Sequence, residues 1–588
     1  MKNNVRNSFY EQNLKGLKVL VLAPHQDDEI NIAGNTIVNL VNCGADVKVC
    51  FSTNGDYTLP ASVRIREAVA SLKKLGCNKQ NIYFLGYGDT LNGSFKSHIF
   101  YNKNDVVKSK AGYSETYGVE EISDYAYIKS GKHSKYNANN FCKDLKNIIL
   151  DVVPDIIICV DLDTHADHRM LSLSFDEVMG EILRENNSYT PLILKRFAYD
   201  LAYFAIQDFY DFNIKQNKRP ILNHERCIQQ FIDKAYYSWN DRWRMPVIKN
   251  EYGNFVFSKK LTQALFCHKS QSAAMKALGI INSDEVFFER RSDSLSYKAT
   301  VQVSSGKGAH LKDFKILNLT DIDAQYIKFD NYLWQPEADD KDKKATFIWD
   351  EKQDVRFIRI YGNLEDTGYI KSLLISFDNG FQIKTNRLPK DGLPLELEIP
   401  RQIVNSCTIQ ILDVEGYGYG ISECEFFSTK EVRNILPAFL KITIEDNFVY
   451  KYIMSADCTE VALGIYTSNI EKEIKFSVIK GDAEINNQKL YLKKDDFAVI
   501  RAQDVSGKAY DQIVICREAK WKLITIQVLQ KVEKIVFIGY CRLCRKSFFY
   551  KQNGLKNAHV VNKKIIRKQL RHNLLLYVFI GLRLCNVL

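Results

Sequence analysis

Apolar residues fall in short runs whose period changes along the chain. Leu17–Ala23 (LKVLVLA) is a continuous apolar run of strand length, the mark of a strand buried in a parallel sheet. After the polar His25–Glu29, residues Ile32, Ile37, Val38 and Val41 recur at helical spacing and predict a helix over Ile30–Cys43 that Gly44 stops. A second strand is predicted over Asp46–Ser52, with a turn at Thr53–Asp56. A helix over Ala61–Leu75 closes at Gly76, and a third strand covers Ile82–Leu85. Residues 89–135 are polar, rich in Gly and Tyr and weakly patterned, as expected of a long active-site loop. A helix over Phe141–Val153 then leads through Pro154-Asp155 into an apolar strand at Ile156–Val160. This β-α-β-α-β order predicts a doubly wound α/β domain with a mostly parallel sheet, which gathers its sites at strand carboxyl ends.

Past residue 300 the period shortens. Strands are predicted at Ala299–Val303, Ala345–Trp349, Val355–Ile360, Ile370–Phe377, Leu395–Ile399 and Thr408–Leu412, separated by Asp, Gly and Asn turns, which is the pattern of a β-sandwich. A second β-rich stretch, with strands near Leu440–Ile444 and Ile474–Val478, carries no assignable motif; pattern alone suggests an immunoglobulin-like module. The expected division is 1–300 for the α/β domain, 301–430 for the sandwich, 431–518 for a small β-rich domain and 519–588 for a basic tail. A chain of 588 residues with 46% hydrophobic and 26% charged residues is long enough for several such cores and too apolar for disorder.

Charge changes the picture once it is located. The net charge is +11, yet residues 520–588 hold fifteen Lys and Arg against the single acid Glu533, so the remainder is slightly acidic. A nucleic-acid-binding catalytic core is therefore not expected. Within the tail, Val528–Tyr550 and Ile565–Leu584 mix apolar and basic residues without reaching a membrane-spanning length, and Leu574–Leu582 is the most apolar stretch. The composition suits a helical segment lying on an anionic membrane surface; a basic hairpin packed on the catalytic domain, or an RNA-binding arm, would share it. The polar start to Leu14 lacks the pattern of a secretory signal, and the fourteen cysteines are scattered, as expected of reduced thiols in a cytoplasmic, at most peripherally membrane-bound, protein.

Two clusters carry chemistry. Pro24-His25-Gln26-Asp27-Asp28-Glu29 sits on the turn leaving the first strand, and His165-Ala166-Asp167-His168 lies just beyond the strand that ends at Val160. Either alone is as readily a turn or a helix cap. At the carboxyl ends of two strands of one sheet, however, they offer three imidazoles and several carboxylates. That is the donor set of a hydrolytic metal site, which needs three protein ligands, an open position, and a carboxylate nearby to take a proton from water.

These motifs resemble the PIG-L/LmbE-like N-acetylglucosaminyl deacetylases, whose pattern is A-H-P-D-D-E followed by H-x-D-H. Here Pro24 and Gln26 stand where that family has alanine and proline, and neither is a ligand position. The resemblance continues through Thr53-Asn54-Gly55-Asp56, Arg64-x-x-Glu67, Phe84-Leu85-Gly86-Tyr87 with Asp89, and His268-Lys-Ser-Gln271 to Phe288-Glu289, about residues 15–295. It implies a Rossmann-like fold in which His25, Asp28 and His168 bind Zn2+ or another divalent metal and Asp27 is the general base. His165 would protonate the leaving nitrogen or stabilise the oxyanion, with Asp167 orienting it. Arg64, Asp89 and His268 would contact substrate; surface salt bridges are the plainer reading of the first two. The implied activity is removal of acetyl from an N-acetylglucosamine-type sugar of a glycan or glycolipid precursor. A non-catalytic glycan-binding or scaffolding protein, and an amidase acting on a sugar–thiol conjugate, are the rival readings. Residues 305–428 are similar to discoidin-like, galactose-binding-type sandwiches, in Trp334-x-Pro336, Phe357–Tyr361, Ile370–Gly380 and the closing Gly420–Phe426. That resemblance implies a glycan or lipid-headgroup ligand on the end loops, where Tyr417 and Tyr419 could stack on a sugar.

Overall fold

The computed structural model describes residues 7–90, 98–162, 165–198, 241–245, 256–271, 284–316, 332–363, 368–389, 393–432, 435, 437–449, 451–455, 457–470, 473–493, 497–517, 529–531, 534–541 and 546–553. The N-terminal region builds one seven-stranded sheet. Its strands are β1 (Lys18–Ala23), β2 (Asp46–Thr53), β3 (Ile82–Tyr87), β4 (Ile156–Val160), β5 (Leu192–Arg196), β6 (Trp243–Met245) and β7 (Glu285–Arg290), in the order β3-β2-β1-β4-β5-β7-β6. The first five are parallel, and β7 and β6 close the edge antiparallel. The chain winds outward from β1 to β3 and returns to β4 on the other side of β1, so the switch point lies between β1 and β4. Buried Val, Leu and Ile fill both central strands, as a sheet covered on both faces requires.

The connecting helices are α1 (Asp28–Asn42), α2 (Ala61–Leu75), α3 (Tyr125–Ser130), α4 (Ala138–Val152), α5 (Ala166–Glu185) and α6 (Val256–Leu265). Helix α1 begins two residues before its apolar spacing suggests, because Asp28 and Glu29 fill a first turn that favours carboxylates. Helix α4 begins three residues early, at the cap where Asn137 accepts from the Asn140 amide. The weakly patterned 89–135 loop holds α3. Helix α5 carries a fully buried cluster against the sheet. Lys195 of β5 reaches Ser172 Oγ and Asp176 Oδ1, both at 2.8 Å. Removing that amine alone would strand carboxylates in the core, a loss of about 3–5 kcal/mol.

Six strands form the following antiparallel sheet: β8 (Thr300–Val303), β9 (Lys344–Gly362), β10 (Gly368–Phe377), β11 (Gln382–Lys384), β12 (Leu395–Gly416) and β13 (Ile421–Phe427). The paired short strands expected at 345–360 and 395–412 are each one long strand, β9 and β12. Register shifts near Gln402 and Ser406 let them turn while remaining hydrogen-bonded. Trp334, Phe347, Trp349 and Phe426 lie in its core. Tyr417 is 75% exposed, whereas Tyr419 is buried beside Lys343, so the two tyrosines do not form a shared stacking face.

The α/β region and the sandwich fall in one compact unit, residues 1–450 with 464–476 and 501–513; residues 451–463, 477–500 and 514–588 form the second. In the first, Phe439–Ile444 pairs antiparallel with Gly464–Ser468. In the second, Lys489–Leu492 pairs with Ala483–Asn486 and Glu460–Ala462. The tail departs from expectation: Leu529–Lys531, Lys534–Cys541 and Lys546–Asn553 form an antiparallel sheet, not a helix. Val, Ile, Phe and Tyr dominate these stretches, and such residues suit a pleated backbone better than a helix. Ile565–Leu584 lies outside the described residues. Among the described residues, no helix is long and apolar enough to cross a membrane.

Where the sandwich meets the α/β sheet, carboxylates are buried. Glu423 accepts from the Phe314 amide at 3.0 Å, and Glu425 has Arg290 Nη1 3.9 Å away. Burial raises the Glu425 carboxyl above its ordinary value; Arg290, Arg359 and Arg291 oppose the shift and Asp293 adds to it. The folded chain thus holds a proton there that the unfolded chain releases near pH 4.3. Stability from this group is complete below that pH and falls as pH rises towards the folded value. Glu425→Gln should therefore raise the melting temperature relative to wild type more at pH 8 than at pH 4; an equal change at both pH values would contradict this assignment.

Candidate active site

Strands β1 and β4 are adjacent and parallel, with Leu22 opposite Cys159, so the turns that follow them converge. The first turn passes from Ala23 through Pro24 to the start of α1, and Pro24 O is held by the amide and hydroxyl of Thr53 at 3.1 and 2.9 Å. The second ends at His165, which caps α5 and leaves Asp167 and His168 in that helix's first turn.

Three donor atoms meet between these turns. His25 Nδ1 and His168 Nε2 each lie 3.0 Å from Asp28 Oδ2, and 3.3 Å from one another. Asn31, one turn along α1, donates to the other Asp28 oxygen at 3.0 Å. All four side chains are buried. Two imidazole nitrogens and a carboxylate oxygen this close are joined either by ring N–H donation or by a shared cation. Burial works against charge on Asp28, but His168 and His25 outweigh it and hold the carboxyl well below its usual range. The set fits a divalent ion: a tetrahedron with bonds of about 2.0 Å has edges of about 3.3 Å, and two nitrogens with one carboxylate are common zinc donors.

The far side of His25 is equally crowded. Its Nε2 lies 3.1 Å from Asp167 Oδ2 and 3.2 Å from Asp89 Oδ1, the carboxylate backing usual for a metal-binding histidine. Burial would lower the His25 pKa, but Asp89, Asp167 and Asp28 hold it well above the usual imidazole range. Burial, reinforced by Asp89 and countered by His25, pushes Asp167 up to about 6. Donor atoms of His25, His165 and His168, and of His25, Asp89, His165 and Asp167, form two overlapping buried groups compact enough to hold an ion.

The resemblance makes Asp167 the residue that orients His165, and here the contact runs through the Asp167 backbone and not its carboxylate. The Asp167 carboxylate accepts from the Thr90 amide at 2.8 Å and faces His25; it is 4.0 Å from His165 Nδ1. What orients His165 is the Asp167 amide, which donates to Nδ1 at 3.2 Å. A nitrogen accepting an N–H carries no proton, so the ring proton of neutral His165 sits on Nε2. Burial and the neighbouring His25 and His168 keep this imidazole neutral.

Asp27 occupies a strained position. Its φ is 135°, in the half of conformational space that favours glycine. Arg64, buried on α2, donates from Nη2 to Gln26 O at 2.7 Å and to Asp27 Oδ1 at 3.3 Å, with Nη1 3.8 Å from Asp89 Oδ2. Arg64 and Asp89 thus border the same site, not the surface. Gly55 makes room for this: a Cβ there would come within 2.3 Å of Gln26 Oε1 and 2.7 Å of Arg64 Cδ. His268 lies deeper than a residue in contact with substrate would. It is fully buried, its Nε2 2.7 Å from Glu29 Oε1. Burial lowers its pKa, and Glu29 more than compensates.

Several supporting residues carried no assigned role in the sequence. Asn31 was readable three positions after Asp28 on one helix face. Asp56, which accepts from the Asp89 amide at 2.8 Å and the Tyr117 hydroxyl at 2.7 Å, was visible only as part of a turn motif. Thr90 contributes a backbone amide, which sequence cannot single out.

Residues 20–179 match the family profile described as PIG-L, GlcNAc-PI de-N-acetylase, and the match spans both histidine–aspartate turns. Among solved structures, an N,N′-diacetylchitobiose deacetylase from Pyrococcus horikoshii matches 48% of this chain and 89% of its own, at 16% identity and a TM-score of 0.25. A deacetylase of the teicoplanin biosynthetic pathway matches 47% of this chain and 99% of its own, at 13% identity and a TM-score of 0.25. A family 32 carbohydrate-binding module from C. perfringens, solved with galactose, matches 22% of this chain and 94% of its own, at 14% identity and a TM-score of 0.18. No curated protein sequence matches the chain.

The donor triangle makes a direct prediction. Purified protein should hold about one divalent ion per chain by elemental analysis, and His168→Ala should sharply reduce that content. Unchanged occupancy in the variant would remove His168 from the site.

Proposed function

We propose that the N-terminal domain is a zinc-dependent hydrolase that removes the acetyl group from an N-acetylglucosamine-type sugar of a glycan or glycolipid. The observation that carries this reading is the buried triangle of His25 Nδ1, Asp28 Oδ2 and His168 Nε2 beside a separate carboxylate, Asp27, within a PIG-L domain. A divalent ion held by His25, Asp28 and His168 would polarise the acetamido carbonyl and make water nucleophilic at neutral pH.

The chain's own residues supply the proton traffic. Asp27 accepts the proton of the attacking water and returns it to the nitrogen as the C–N bond breaks, giving acetate and a free amine. Arg64 keeps one Asp27 oxygen in place. His165, with Nδ1 engaged by the Asp167 amide, offers its Nε2–H to the carbonyl oxygen as that oxygen gains charge. Of the two roles open to His165, this arrangement favours oxyanion stabilisation over protonation of the leaving group. Asp89, between His25 and Arg64, is placed to accept a hydroxyl of the sugar.

Incubation with a panel of N-acetylated sugars and lipid-linked sugars should release acetate and primary amine in equal amounts; no release from any of them would sink the proposal. Asp27→Asn keeps the side chain's shape but not its basicity, so turnover should fall by on the order of a hundredfold or more with the metal retained. Loss of metal in that variant would instead make Asp27 a ligand.

A further inference from the structure

The strained Asp27 backbone is held from below. The Asp27 amide donates to Glu29 Oε2 at 2.8 Å. The other Glu29 oxygen, Oε1, is held by His268 Nε2 at 2.7 Å and Ser71 Oγ at 2.9 Å. Glu29, Ser71 and His268 have no exposed surface. Among the described residues, His268 Nδ1 has no hydrogen-bond partner, so the ring's polar tie is to Glu29 alone.

One face of α2 joins the parts. Arg64, Glu67 and Ser71 recur at i, i+3 and i+7. Arg64 meets the Asp27 carboxylate and Ser71 meets Glu29, while Glu67 takes the Ser270 amide at 3.0 Å and hydroxyl at 2.6 Å, fixing the segment that carries His268. A carboxylate buried this deeply is costly unless its oxygens are occupied, and here both are. A backbone at positive φ persists only where its surroundings over-determine it.

We infer that Glu29 and His268 form a buried clamp that holds the Asp27 turn in its strained conformation, which makes both of them positioning residues for the proposed base. This rests on the deacetylase reading above. The clamp aims the Asp27 carboxylate without touching substrate, and so gives His268 a role different from the substrate contact its motif implies.

Two His268 variants test it. His268→Leu fills the space without a donor, and His268→Gln keeps a donor near the Nε2 position. A misplacement of about 1 Å costs on the order of a hundredfold in rate. His268→Leu should therefore lower kcat by roughly ten- to a hundredfold with KM within about twofold and metal content unchanged, and His268→Gln should recover most of the loss. Normal kcat in His268→Leu, a rise in KM alone, or equal losses in both variants would each overturn the clamp. A second measurement does not depend on turnover. Glycine is at ease at positive φ and alanine is not, so Asp27→Gly should melt above Asp27→Ala. The gap should narrow when His268→Leu lets the turn relax; a gap of the same size in both backgrounds overturns the inference. If wild-type protein releases no acetate from any substrate, the deacetylase reading fails and this melting comparison still decides the clamp.

Discussion

Strands β1 and β4 run side by side at the centre of the sheet with Leu22 opposite Cys159, and that pairing sets the distance between turns that carry His25 and His168, 143 residues apart in sequence. Parallel neighbours end on the same side, so each strand delivers its turn to the same place. The donor triangle, the starts of α1 and α5 and the Asp167 carboxylate behind His25 are all referenced to that single register. A slip of one residue would exchange every β1 side chain between two differently packed faces, which is a strong penalty in a close-packed sheet buried on both sides. The core therefore protects the spacing of the site.

The order of strands and helices up to β4 was legible because each element carries its own signal: an apolar run, a 3.6-residue spacing, a Gly stop. The two polar turns were legible because they interrupt those runs at strand ends. Contacts set by the backbone were not. The family resemblance points to Asp167 as the partner of His165, and the Asp167 carboxylate is drawn to His25 and to the Thr90 amide, while its backbone N–H meets the His165 ring. His268 was legible as a motif but not as a buried residue, because its depth depends on how α6 (Val256–Leu265) packs against α2 (Ala61–Leu75), far apart in the chain. The tail misled for a related reason. Its charge suggested an amphipathic helix, while its Val, Ile, Phe and Tyr content favoured the strands that form at 534–541 and 546–553.

The sandwich adds a different kind of constraint. Arg290 ends β7 of the α/β sheet, its guanidinium stacks over Phe314, and it lies near Glu425 of β13. Arg291, the next residue, donates to the carbonyls of Thr429 and Lys430 and lies over Phe427. The strand that completes the α/β sheet thus runs directly into the seam with the sandwich. A disturbance on the sandwich side would reach β7 and, through it, the Glu285 carboxylate that receives the Asn35 and Thr36 amides of α1.

The distance along the chain between Glu29 and His268, 239 residues, imposes an order in time. During synthesis on a ribosome, both histidine–aspartate turns exist once residue 168 has emerged, but the His268 support beneath Asp27 arrives a hundred residues later. Closing so long a loop carries an entropic penalty that local contacts do not. Under the proposed function, the nascent domain therefore has its donor triangle before it can aim its base, and a chain halted between those two points would sequester metal without turning over substrate.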